Sequence, residues 1–126
     1  MDLIRSPLAP KKFPTLPVIE GVLISTARSG LKYKGRPDLL LVSLKPRTSI
    51  AGVFTKSSAP GNPVVWCKEQ IGQGRARGLI INSGNANVFT GKNGLVAVKE
   101  TAKSVAKVFK CPKNQIFVAS TGVIGE

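Results

Sequence analysis

Two short apolar runs, residues 79–81 and 116–119, enclose one strongly periodic segment, and that order restricts the chain more than anything else in it. Between residues 94 and 110, Leu95, Val98, Ala102, Val105 and Phe109 recur at spacings of three and four, which lines them along one helix face. Lys99, Lys103, Lys107 and Lys110 fall largely on another face, which reads as a wet one. The basic residues of the last turns suit the helix dipole, and Pro112 ends the segment. The pattern therefore predicts a helix over 94–110 that buries those five side chains against a sheet. Strand, helix and strand in succession predict a mixed α/β fold.

The preceding residues add further strands. Prolines at 7, 10, 14 and 17 make residues 1–17 an extended arm. Residues 21–27 read as a first strand, and residues 28–37 as a Gly/Lys-rich hairpin connection. Residues 38–44 are nearly all apolar, which predicts a second strand covered on both faces and broken by Lys45-Pro46-Arg47. Residues 49–55 read as a third strand, and Val64–Cys67 as a fourth segment that can begin a helix turn through Glu69. With 79–81 and 116–119, at least five strands are expected.

Each of the two apolar runs breaks into a polar segment. Asn82 to Asn87 holds one glycine and three asparagines, which favour turns and left-handed backbone positions over strand. It reads either as a binding loop at the carboxyl end of a strand or as a turn that satisfies its own backbone. Ser120, Thr121 and Gly122 read as an exposed turn. A glycine can present a free N–H and a threonine a second donor beside it, and two convergent donors are what an oxyanion hole needs. An N-cap at Ser120 or Thr121 is the alternative.

Composition narrows the chemistry. At 42% hydrophobic, the chain is ordinary globular material. No apolar run approaches the roughly 20 residues of a membrane span, and Met1 to Pro7 has no continuous apolar core of a secretory signal; a cytoplasmic location is expected. Two cysteines are too few for a disulfide framework, and the absence of histidine excludes a Cys/His dyad and the usual Cys/His zinc sites. Cys67 is expected as a small buried residue at a strand end, Cys111 as a helix-exit residue. The net charge of +13, from 19 basic and 6 acidic residues, is scattered and lacks interleaved aromatics. That favours a solvated basic surface over a nucleic-acid platform.

Read together, four segments carry a resemblance: Gly52-Val53-Phe54-Thr55, Ala59-Pro60 with Pro63-Val64, Asn82 to Asn87 with Thr90-Gly91, and Ala119 to Gly125. In that order they resemble the N-terminal part of the bifunctional ornithine acetyltransferase (glutamate N-acetyltransferase) family of arginine biosynthesis, over about residues 18 to 126. The resemblance implies a layered mixed-sheet sandwich of the self-processing N-terminal-nucleophile-like type, incomplete in this chain. It implies acetyl transfer from N-acetylornithine to glutamate, with Thr121 and Gly122 as the oxyanion hole. No bound cofactor is implied, although acetyl-coenzyme A serves some members as donor.

The family's nucleophile is a threonine freed by self-cleavage in an Ala-Thr-Met-Leu type of motif, which does not occur in these residues. The implied partner is therefore the rest of the same precursor, in a hetero-oligomer of two alpha and two beta chains, with no nucleic acid and no membrane. This chain alone is expected to be inactive. A related β-aminopeptidase-type hydrolase and a non-catalytic remnant or basic binding module are the alternatives.

Overall fold

Four strands and two helices make up a computed structural model that describes residues 6–126; residues 1–5 of the proline-rich arm lie outside the described residues. In chain order the elements are β1 (Val22–Ala27), β2 (Leu39–Ser49), α1 (Asn62–Gln70), β3 (Arg75–Asn85), α2 (Gly91–Phe109) and β4 (Ile116–Val123). Single 3-10 turns, Ile71–Gln73 and Lys113–Gln115, lead into β3 and β4. The sheet order is β1-β2-β3-β4, with the first two pairings antiparallel and β3–β4 parallel. Parallel neighbours need a crossover, and α2 provides it.

The mixed α/β class holds, with four strands among the described residues instead of five. Residues 50–57 carry no strand, and the expected third strand over 49–55 is replaced by an extension of β2 to Ser49. Lys45-Pro46-Arg47 bends β2 where a break was expected. The pairing passes from Ser43↔Gly78 to Thr48↔Ala76, and Arg47 takes a positive φ of 69° in the resulting bulge. Arginines of β3 serve the backbone that the bulge releases: Arg77 Nη1 donates to Leu44 O, and Arg75 Nη1 donates to Arg47 O at 2.8 Å.

Val64–Cys67 belongs to α1, not to a strand. Pro63 in the first turn suits a helix start, and Cys67 is a half-buried helical residue. Helix α2 begins at Gly91, three residues ahead of the expected start. It buries Val98, Ala102 and Val105 as expected, adds Ala106, and leaves Leu95 and Phe109 half-buried. Phe109 rests on Gly78, where a methyl group would stand 3.0 Å from its Cδ2 and closer still to Cε2. Lys110 ends α2 in the left-handed region, one residue before Cys111.

Register sorts the sheet into two faces. Leu39, Leu41, Ile80, Ile116 and Val118 join Trp66, Val98, Ala102, Val105 and Ala106 in one core, so both helices cover that face. Each aliphatic side chain buried there contributes about 1.5–3 kcal/mol. The alternate residues, among them Ile24, Leu40, Val42, Leu79, Ile81, Phe117 and Ala119, form the opposite face. The β2 segment is half-buried where cover on both faces was expected. Leu8, Phe13 and Leu16 in the arm, and Val18 and Ile19 just after it, are exposed.

Candidate functional site

Both polar segments continue as strand. β3 runs to Asn85 and β4 to Val123, so Ser120-Thr121-Gly122 is neither a turn nor a helix cap. The two segments are register partners: Asn82↔Ser120, Ser83↔Thr121, Gly84↔Gly122 and Asn85↔Val123. Glycine is what lets the pairing persist. Gly84 and Gly122 have φ of 111° and 137°, and a methyl on Gly122 would overlap the Gly84 carbonyl carbon and lie 2.6 Å from Asn85 N. Within the segment, an expected left-handed position occurs at Asn87 with φ 52°; Phe89, outside it, also takes a positive φ of 57°.

Side-chain direction separates Ser120 from Thr121. Ser120 Oγ donates to Asn82 Oδ1 at 2.5 Å on the helix-covered face, and Asn82 Nδ2 donates to Asn85 O at 2.9 Å. Alternation places Thr121 on the opposite face, where it is exposed, and its hydroxyl has no hydrogen bond to any described residue. Peptide groups alternate as well. On β4, Ile116 O accepts from Trp66 Nε1 at 2.9 Å and Val118 O from Cys67 Sγ at 3.2 Å, so these carbonyls face α1. Val123 O accepts from Ala86 N at 2.9 Å, toward β3. Residues 116, 118, 120 and 122 thus point their peptide groups to the free edge of β4, and the N–H of Gly122 lies on that edge beyond the reach of α1.

A cleft of about 810 Å³ opens between the sheet and the first half of α2, lined by Asn82, Asn87, Thr90, Gly94, Val98 and Ser120 among others. Its polar end is a network that sequence reasoning missed. Asn62 Nδ2 donates to Asn87 Oδ1 at 3.0 Å and to Thr90 Oγ1 at 2.9 Å; Thr90 Oγ1 donates to Asn87 Oδ1 at 2.5 Å. Asn87 Nδ2 donates to Gly94 O at 3.0 Å. A methyl on Gly94 would overlap Thr90 Oγ1 and Asn87 Oδ1, so only glycine fits beneath the network. Asn87 and Thr90 lay in a segment already singled out; Asn62, a lone asparagine before a proline, gave no signal.

Beneath the cleft residues Ser29 and Leu31, Asp38 is 3% exposed and accepts from Ser29 N at 2.6 Å, Ser29 Oγ at 2.9 Å and Leu31 N at 2.9 Å. The Ser29 N–H holds this carboxyl below the usual carboxylate range, helped by the Leu31 N–H and the Ser29 hydroxyl, against an opposing effect of burial. Lys32 from the same connection pairs with Glu126 at 2.5 Å. Burial pushes the Cys67 thiol up, which suits a structural thiol. Among the described residues, no group of three or more His, Cys, Asp or Glu is placed to hold a metal ion, and no helix is long and apolar enough to cross a membrane.

The model of the ArgJ family matches residues 23–126. The chain belongs to the ArgJ family. It is 54% identical over 126 residues to the arginine biosynthesis bifunctional protein ArgJ of Mesorhizobium japonicum, covering 100% of this chain and 30% of that protein. The ArgJ protein of Bradyrhizobium diazoefficiens is 54% identical over 121 residues, which cover 96% of this chain and 29% of that protein. This chain therefore spans about 30% of the length of the curated relatives it matches.

Solved ArgJ structures share the fold. The crystal structure of ArgJ from Bacillus halodurans superposes with a TM-score of 0.80 at 33% identity, covering 85% of this chain and 56% of that chain. Ornithine acetyltransferase from Mycobacterium tuberculosis, complexed with ornithine, gives 0.81 at 34% identity and covers 85% and 58%. The family assignment and the mixed α/β fold follow from these matches. The family's proteins carry the name of arginine biosynthesis, as the sequence resemblance implied.

Proposed function

We propose that this chain supplies the oxyanion hole of an enzyme that transfers an acetyl group from N-acetylornithine to glutamate. Thr121 donates through its hydroxyl and Gly122 through its backbone N–H. What carries the reading is the end of β4: a free-edge N–H sits beside a hydroxyl with no hydrogen bond to the described residues. The ornithine bound by the Mycobacterium tuberculosis relative supports the substrate class.

The remaining machinery lies on the rest of a longer precursor. A threonine exposed there by self-cleavage attacks the acetyl carbonyl, its N-terminal amine taking the hydroxyl proton. Thr121 and Gly122 stabilise the oxygen as it becomes negative. Collapse breaks the bond to nitrogen, the proton passes to the departing ornithine amine, and the acetyl group stays on threonine. The glutamate amine then attacks that ester and leaves as N-acetylglutamate, restoring the hydroxyl. Acetyl-coenzyme A is an alternative donor for the same acyl-enzyme. The working assembly is two alpha and two beta chains in the cytoplasm.

The test is Thr121→Ala in a full-length ArgJ protein with this chain as its N-terminal part, such as a chimera with the Mesorhizobium relative. Removal of one oxyanion donor costs about 2.7–4 kcal/mol, a fall in kcat of about 10²–10³-fold, with KM and thermal midpoint little changed. Normal turnover in Thr121→Ala refutes the assignment.

A further inference from the structure

The oxyanion reading leaves open what keeps the end of an edge strand in place. Among the described residues, side-chain hydrogen bonds from helix α1 reach the free edge of β4 at Ile116 and Val118, from Trp66 and Cys67. Beyond Val118 no side chain of α1 hydrogen-bonds to that edge among the described residues. The strand is held past its end by Gly125 N donating to Val88 O and Asn85 Nδ2 donating to Glu126 O, and along its length by its pairing with β3. There the paired glycines Gly84 and Gly122 bring no side chains to hold the two strands together. Among the described residues, the side-chain hydrogen bond that joins register partners in this part of the ladder is Ser120 Oγ to Asn82 Oδ1, at 2.5 Å and part-buried. Asn82 is itself held, because its Nδ2 donates to Asn85 O at 2.9 Å.

We propose that Asn82 is a positioning residue for the acetyl-transfer site: by gripping Ser120 on the helix-covered face, it fixes Thr121 on the opposite face and the Gly122 N–H on the free edge. The inference rests on the oxyanion reading. Asn82 does not touch the acetyl group, since its side chain and that of Thr121 lie on opposite faces of the sheet. Its two-handed amide is what the position requires. The oxygen accepts from Ser120 while the nitrogen ties back to the same strand, so the acceptor cannot swing away. Oxyanion donors act only within a few tenths of an ångström of their working position, so loosening Ser120 degrades both donors together.

The test is a set of single and double variants in the same full-length protein, read as kcat, KM and thermal midpoint. Ser120→Ala and Asn82→Leu should each lower kcat by about ten- to hundredfold with KM within about twofold. Ser120→Thr keeps the hydroxyl and should recover most of the loss. Asn82→Asp keeps the acceptor but loses the donor to Asn85 O, and should fall between wild type and Asn82→Leu. Combined with Thr121→Ala, Ser120→Ala should cost less than it does alone, because only the Gly122 N–H is then left to misplace. Full turnover in Ser120→Ala, or a multiplicative loss in the double variant, overturns the inference. Normal kcat in Thr121→Ala alone would overturn the oxyanion reading instead, so the two failures are told apart.

Discussion

Gly122→Ala is the most direct test of how β4 is held. Alanine keeps the backbone N–H, so the change removes no donor; it adds one methyl group to the place where two strands meet most closely. That methyl would overlap the Gly84 carbonyl carbon and lie 2.6 Å from both Gly84 O and Asn85 N. These are backbone atoms, which cannot rotate aside as the end of a side chain can. The φ of 137° adds its own strain, because a side chain scarcely tolerates that region. Strain of about 1–3 kcal/mol together with overpacking of about 1–3 kcal/mol gives a destabilisation of about 2–6 kcal/mol. Two controls grade the effect. Gly125 has φ of 85° but open space around its Cβ direction, so Gly125→Ala should cost only the conformational part, about 1–3 kcal/mol at most. Gly72 has neither problem, and Gly72→Ala should be neutral or slightly stabilising. Thermal midpoints of the three full-length variants at one scan rate should rank Gly72→Ala highest and Gly122→Ala lowest, with kcat of Gly122→Ala reduced by displacement. A Gly122→Ala midpoint equal to that of Gly72→Ala would refute the close β3–β4 approach.

Trp66→Phe removes the donor to Ile116 O and should destabilise by about 1–3 kcal/mol, seen as a lower denaturation midpoint. Gly94→Ala should disrupt the Asn62–Asn87–Thr90 network, and its amide protons should exchange faster than in wild type. The Asp38 pKa is lowered in the folded chain, so its contribution to stability is present above the ordinary carboxylate range and is lost as pH falls through the folded value. Asp38→Asn should therefore flatten the acid limb of the stability curve, and should also speed proteolysis within residues 28–37 at neutral pH. The 126-residue chain alone should transfer no acetyl group from N-acetylornithine to glutamate; measurable transfer would place a nucleophile among these residues.

What the sequence made legible was periodic. The spacing of Val98, Ala102 and Val105 located α2 and its buried face, and the flanking apolar runs located the cores of β3 and β4. The errors came where local preference met tertiary pairing. Val64-Val65-Trp66 is β-branched and aromatic, yet Pro63 and the packing of Trp66 on Ile116 make it helix. Pro46 looked like the end of a strand because a bulge with arginine-bound carbonyls cannot be inferred from one strand's residues. Asn82 to Asn85 and Ser120 to Gly122 looked like turns because each is strand only through the other.

That mutual dependence explains why the motifs had to be found separately and yet belong to one place. Asn82 and Ser120 are 38 residues apart in the chain and directly opposed in the sheet. Each segment alone is rich in residues that oppose strand formation. Paired, the two glycines allow a backbone approach that side chains would forbid, and the asparagine and serine supply the tie across it. The parallel pairing also requires a crossover, and the length of α2 sets where β4 begins relative to β3. A helix of fixed length, a pair of glycines and one amide–hydroxyl bond thus select a single register. In that register Thr121 and the Gly122 N–H lie away from the helices, on the exposed face and the free edge. A one-residue slip would turn Thr121 to the helix-covered side and Ser120 to the opposite face. The register is therefore the property on which the proposed site depends, and the residues that fix it lie largely outside the donors themselves.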